Sequence, residues 1–164
     1  MNGLHPLALR PGYVTLSLSP MLNPPFRSPR DKVAGLFHFG RMLDKIRLHL
    51  AGQLPEEYRP NFGRAFGLDG NLCGFLGVDF EAVCERVRQG GTDEEVAEWC
   101  FENGLRPNGA QTRIWNEFAR KLGWNDRASA FMAAVRAEDG RPDRTDLVTA
   151  FDNIDFREGR LPAE

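Results

Sequence analysis

The sequence predicts an all-α fold, a compact single-domain array of about six helices around a long first helix, with an extended N-terminal arm. Three observations carry this prediction. Beyond Ser28 no stretch alternates strictly between apolar and polar residues, which removes the usual strand signal. Helix-capping signals recur along the chain, and short loops join one helical stripe to the next. The length of 164 residues fits one domain, and such a chain buries about 70% of its unfolded surface, enough for a core without staples.

Residues 1–27 read as the arm, because Pro6, Pro11, Pro20, Pro24 and Pro25 interrupt them and no period is visible. Within it, Tyr13 to Leu18 alternates like a strand but has no partner strand, which leaves it marginal. The helical domain is expected over 28–160, with 161–164 as a frayed tail. Ser28, Pro29 and Asp31 offer a cap, a first-turn proline and a first-turn acid, so a helix is predicted from Pro29 to Ala51, stopped by Gly52. Pro55, Pro60, Gly63 and Gly67 mark loops. Leu68 to Leu76 reads as a short helix despite Gly70 and Gly74, and Asp79 caps the next, to about Arg88. Thr92 and Glu95 form a capping box for a helix that shows Val96, Trp99 and Cys100 on one side. Asn108 and Gln111 open another, whose apolar stripe is Ile114, Trp115, Phe118 and Leu122. A helix from about Asp126 turns Phe131, Met132 and Val135 inward, and Thr145 starts a last short one through Ile154.

Composition excludes several function classes. Hydrophobic residues make up 41% and charged residues 27%, ordinary for a globular chain. A net charge of −2 gives no overall case for nucleic acid or an anionic membrane, and neither is an expected partner. The charge is uneven, about +4 over residues 1–59 and about −6 beyond, which reads as solvated surface. The three cysteines, Cys73, Cys84 and Cys100, lack a C-x-x-C pair and sit among apolar residues, as buried thiols in a reducing cytoplasm do. No secretory signal and no run of membrane-spanning length is visible. Cofactors and metals are not expected, since phosphate loops, nucleophile elbows and metal-ligand spacings are missing from the sequence. Trp99, Trp115 and Trp124 are assigned to the core rather than to a stacking site.

The first helix carries the most chemistry. On a helical wheel with its origin at His38, Val33, Leu36, Gly40 and Leu43 fall within about 140° to 220°, the buried face. Arg47, at about 180°, and Asp44, at about 240°, share that arc, with Arg41 one turn before Asp44. Such an Arg-Asp-Arg ladder is either a buried salt bridge fixing the helix or an anion-recognition cluster, because a guanidinium grips carboxylate or phosphate at two points. The first is the simpler reading. His38, Lys45 and His49 fall on the opposite, wetter strip and read as surface. Asp152, Asp155 and Glu158 have the spacing of a hard-cation site only if a loop gathers them, and a solvated helix end is the preferred reading.

Six segments, Ser28-Pro-Arg-Asp31, Arg41-Met-Leu-Asp44-Lys45-x-Arg47, Phe75-Leu-Gly-Val-Asp79, Thr92-Asp-Glu-Glu-Val96, Trp115-Asn116 and Asp155-x-x-Glu158-Gly-Arg160, occur in order. Together they resemble a bacterial family, the domain of unknown function numbered 5069, over about residues 26–160. The resemblance implies a small helical cytoplasmic protein without a known activity, and it places Arg41, Asp44, Lys45 and Arg47 in the family's most recognisable segment. Residues 1–20 look like an extension, and Arg157 stands where the pattern has an acid, which weakens a metal site there. The expected function is therefore a non-catalytic helical module that binds a small anionic ligand or a partner protein, with Arg41, Asp44, Lys45 and Arg47 as candidate ligand-binding residues. The alternatives are an enzyme that orients an acidic small molecule through the same four residues, and a structural dimer subunit. Whether the chain is an enzyme stays open at this point.

Overall fold

The computed structural model describes residues 23–161. The arm up to residue 22, with its strand-like Tyr13–Leu18, and the tail from 162 lie outside the described residues. From Asn23 the chain is held, because the Asn23 N–H donates to the Glu158 carbonyl and the Phe26 ring is buried.

The predicted Pro29–Ala51 helix is corrected at its start. The first helix, α1, runs Phe39–Leu50, and a small antiparallel hairpin precedes it, β1 (Lys32–Val33) with β2 (Leu36–Phe37). The cause is local. Ala34 (φ 49°) and Gly35 (φ 79°) supply the positive-φ pair that a two-residue hairpin turn requires. His38, also at positive φ (70°), then redirects the chain into α1. The Ser28 hydroxyl caps no helix here; it donates to the Asp155 carboxylate at 2.8 Å. At 12 residues α1 is shorter than the expected first helix, and shorter than α5, which has 13.

The remaining helices are α2 (Leu68–Leu76), α3 (Phe80–Arg88), α4 (Asp93–Asn103), α5 (Gly109–Lys121), α6 (Ser129–Glu138) and α7 (Ala150–Arg157). A 3-10 helix, Glu56–Asn61, lies in the strap between α1 and α2. Among the described residues this makes seven α-helices rather than about six. Asp79 caps α3 by accepting from the Glu81 and Ala82 N–H groups, and the Thr92/Glu95 and Asn108/Gln111 boxes close as their sequence predicts. The last helix starts later than expected, because Thr149, not Thr145, pairs reciprocally with the residue three positions on, Asp152.

The core gathers Val33, Leu36, Phe39, Met42, Leu43 and Ile46 from the hairpin and α1 against Leu72 and Leu76 of α2, Val83 of α3, Val96 and Cys100 of α4, Trp115 of α5 and Phe151 of α7. α1 packs on α2 and α3, while α5 packs on β2 and α7. The stripe predicted for α5 is corrected: Trp115 is buried, whereas Ile114 is 64% and Phe118 41% exposed. Trp124 and Phe131, both expected inside, are exposed as well. Helices α5 and α6 turn only one contact face toward the core, and their apolar arcs are wider than that face, while Trp124 lies in the turn between them.

Candidate functional site

The fold arranges polar residues around α1 into three networks. The deepest holds His38, Lys45 and Asp69. Lys45 Nζ donates to both Asp69 oxygens, at 2.8 and 2.7 Å, and His38 Nε2 lies 2.7 Å from Oδ1. The Gly63 N–H donates to Oδ2 at 3.0 Å. Asp69 sits in the first turn of α2, where the helix dipole favours a negative charge. Burial works to raise the Asp69 carboxyl, but Lys45 and His38 beside it hold it well below the usual carboxylate range. Burial also lowers the basicity of His38, to about 4, against the opposing pull of Asp69, so the ring is neutral near pH 7. Its Nε2–H then faces the carboxylate, and its buried Nδ1 has no hydrogen-bond partner among the described residues.

One turn along the same face, Arg41 grips Glu158 with two parallel bonds, Nη1 to Oε2 at 2.9 Å and Nη2 to Oε1 at 2.5 Å. Its guanidinium also donates to the Arg27 carbonyl and lies 4.6 Å from the Phe26 ring centroid. The Tyr58 hydroxyl, reaching in from the strap, donates to Glu158 at 3.0 Å, and Arg160 closes the other side of that carboxylate. Burial, and then the Glu158 charge, push the Tyr58 phenol above its ordinary range. The C-terminal carboxylates are thus taken up by arginines: Asp152 by Arg30, Asp155 by Arg30 and Arg160, and Glu158 by Arg41 and Arg160.

The third network lies at the water's edge. Arg27 donates to Asp44 through Nε (2.8 Å) and Nη2 (2.7 Å), and pairs through Nη1 with Asp93 at 2.7 Å. Arg47 donates to Asp93 at 2.7 Å and stands 3.7 Å from Asp44. Gly40 makes room for this arrangement, since a Cβ there would come within 2.8 Å of the Arg27 guanidinium carbon. The Asp44 pairing raises the basicity of Arg27 further.

The four residues expected to form one cluster are therefore divided. Asp44 and Arg47 share a network. Arg41 turns away from Asp44 to Glu158, and Lys45 belongs with Asp69 and His38. The expected wet strip is corrected: His38 is 2% and Lys45 5% exposed, and only His49 faces solvent. A wheel counts apolar side chains, and the inner part of this strip is covered by charge pairing instead, through the Asp69 carboxylate of α2. Sequence reasoning missed Arg27, Tyr58, Asp69 and Asp93. Two of these had a readable signal, because Asp69 and Asp93 are acids in the first turns of their helices.

The three thiols are free and buried, and burial raises Cys73 to about 12 and Cys84 and Cys100 to about 11, which makes them packing residues rather than nucleophiles. The class of protein defined by fold and site is a small helical domain braced by internal ion pairs. The family model described as a domain of unknown function (DUF5069) matches residues 23–160, and the chain belongs to that family. No curated protein matches the chain. No helix among the described residues is long and apolar enough to cross a membrane.

Proposed function

We propose that the protein is a non-catalytic helical module that binds a partner protein, and that the α1 ion pairs are its internal frame. One observation carries the proposal: each cation of α1 already has a carboxylate supplied by the fold. Arg41 has Glu158, Lys45 has Asp69, and Arg47 has Asp93. A catalytic or anion-binding cation needs an unsatisfied direction toward substrate, and a general base needs reach to the proton it removes. Arg41 and Lys45 have their charge neutralised within the fold and are buried.

A second reading rests on a different observation. Arg27 and Arg47 keep about a third of their side-chain surface in water, 35% and 37%. An anionic ligand, or the acidic substrate of an enzyme, has access to the α1 cluster at this edge, by displacing Asp44 or Asp93 from its pairs. A thermal-shift screen of anionic metabolites on the wild type and on Arg47→Ala separates the two. The frame reading expects no anion to raise the melting temperature selectively. A stabilisation by one anion that disappears in Arg47→Ala overturns it in favour of the second reading.

A further inference from the structure

The inner part of the polar face of α1 is charged yet closed to water, and the strap lies across it. Arg41, Lys45 and His49 stand one turn apart on that face. The Tyr58 ring centroid lies 5.8 Å from the Arg41 guanidinium carbon, and the Phe62 ring sits 4.4 Å from the His49 ring. Between them, the Gly63 N–H donates to the Asp69 oxygen that Lys45 also holds. Under this cover Arg41 is 3% and Lys45 5% exposed.

The strap itself is lightly held. No residue of its 3-10 helix, Glu56–Asn61, is buried, and Pro55 and Pro60 keep the segment from a longer helix. Among the described residues, the backbone of 55–63 makes one hydrogen bond to the rest of the protein, that of Gly63 to Asp69. The other ties come from side chains: the Tyr58 hydroxyl on Glu158, the Tyr58 ring edge-on to Phe26, and Phe62 between His49 and Phe80. Both ends are fixed. Leu54 is buried, and the 64–67 turn packs so closely on α2 that a Cβ on Gly70 would come within 2.5 Å of the Arg64 and Ala65 backbone. A segment with few buried apolar contacts between two fixed ends belongs to the low-stability part of a fold, which opens locally.

We infer that residues 55–63 are a lid, which lifts as a unit between Leu54 and the 64–67 turn while α1, α2 and α7 stay folded. The charges beneath belong to α1, to α2 and to the end of α7, and none to the strap, so lifting leaves both ion pairs joined. What changes is their solvent. Closed, the pairs lie in a medium of low polarity; open, water reaches Arg41 and Lys45 and weakens each attraction. Closure gives the Gly63 N–H and the Tyr58 hydroxyl their carboxylate partners, so the closed form is the major one. The same face of α1 therefore has two states, a sealed frame and a hydrated row of charges. The inference goes beyond the partner-binding reading and does not depend on the outcome of the anion screen.

Native-state hydrogen exchange of the full chain, followed by NMR in rising urea below the unfolding transition, tests this. The Gly63 amide should be at least about a hundredfold less protected than those of Leu43 and Ile46 in α1, and its opening should depend little on urea, as a small opening does. Lys45 should react with an amine-acetylating reagent at a rate that follows the Gly63 opening, while the exposed Lys32 reacts at once. Phe62→Ala and Tyr58→Phe should each raise Gly63 exchange and Lys45 acetylation by the same factor, roughly tenfold. The wild-type measurement stands even if a variant fails to fold. Gly63 protection equal to that of Leu43 and Ile46, with the same urea dependence, overturns the inference, because the strap then opens only when the whole domain unfolds. So does Lys45 acetylation that keeps pace with Leu43 and Ile46 instead of Gly63, since the strap would then not be what shuts water from that face.

Discussion

Two of the three ion networks around helix α1 use the same chemistry and differ in their access to water. Lys45, His38 and Asp69 are all at most 5% exposed, whereas Arg27 and Arg47 keep about a third of their side-chain surface in solvent beside Asp44 and Asp93. The distances are alike, near 2.7 Å in both. Geometry therefore does not separate them, but dielectric does. Removing one partner from the buried network strands a charge that water cannot reach, while at the edge water substitutes for the lost partner. One helix thus has an inner network that fixes where α2 docks and an outer one that adds little to stability.

The largest expected difference is at Asp69. Asp69→Ala leaves Lys45 charged in the interior and releases the Gly63 N–H of the strap. A loss of about 3–5 kcal/mol is expected, read from the urea midpoint at pH 7. The joint variant Lys45→Met, Asp69→Leu should recover most of it, because two matched apolar side chains leave no charge to desolvate. Equal instability of the joint and single variants would show that shape, not charge, holds the strap to α2.

The pH dependence sharpens the same comparison. His38 titrates at about 4 in the fold and near 6.5 in an unfolded chain, because burial disfavours its charged form. Between those values the unfolded state binds more protons, so stability rises with pH across the window and levels off above it. The span corresponds to roughly 3 kcal/mol, at about 1.4 kcal/mol per pH unit. The Asp69 carboxyl is held below the usual range, so its contribution, present above about pH 4, is lost only at lower pH, outside this window. His38→Asn keeps a donor for Asp69 and a residue that accepts positive φ, and it should flatten the slope between pH 4 and 6.5. An unchanged slope would assign the titration to another group.

How much of this was readable in the sequence follows from the range of each signal. The starts of α3, α4 and α5 were legible because Asp79, Thr92 with Glu95, and Asn108 with Gln111 cap within three residues of themselves. The hairpin was not, since two-residue strands are too short to alternate, and Val33 and Leu36 are equally apolar in either structure. Their burial was foreseen correctly, although the hairpin and not α1 provides it. The polar side of α1 was misread for a further reason. Its partners lie 24 residues away for Lys45 and 117 for Arg41, and no periodicity links positions so distant. The exposed half of the α5 stripe was misread because an apolar arc looks the same whether it packs on the core or lies at the surface.

The smallest expected effects lie at the outer network, and there the sequence-based expectation for Asp44 is revised. A buried Asp44 would cost about 3–5 kcal/mol on truncation. With 18% of its side chain exposed and Arg27 still held by Asp93, Asp44→Ala should cost about 1–2 kcal/mol. Arg47→Ala should cost less, about 0.5 kcal/mol, because Asp93 keeps Arg27. A double-mutant cycle on Asp44 and Arg47 isolates their 3.7 Å contact, whose coupling should lie below about 0.5 kcal/mol and shrink further in 1 M salt, where screening acts over about 3 Å. The corresponding cycle on Lys45 and Asp69 should be large and nearly indifferent to salt, since no ion reaches that pair. Coupling of similar size and salt response in the two cycles would mean that water reaches both networks alike, and the distinction between an inner frame and an outer edge of α1 would be lost.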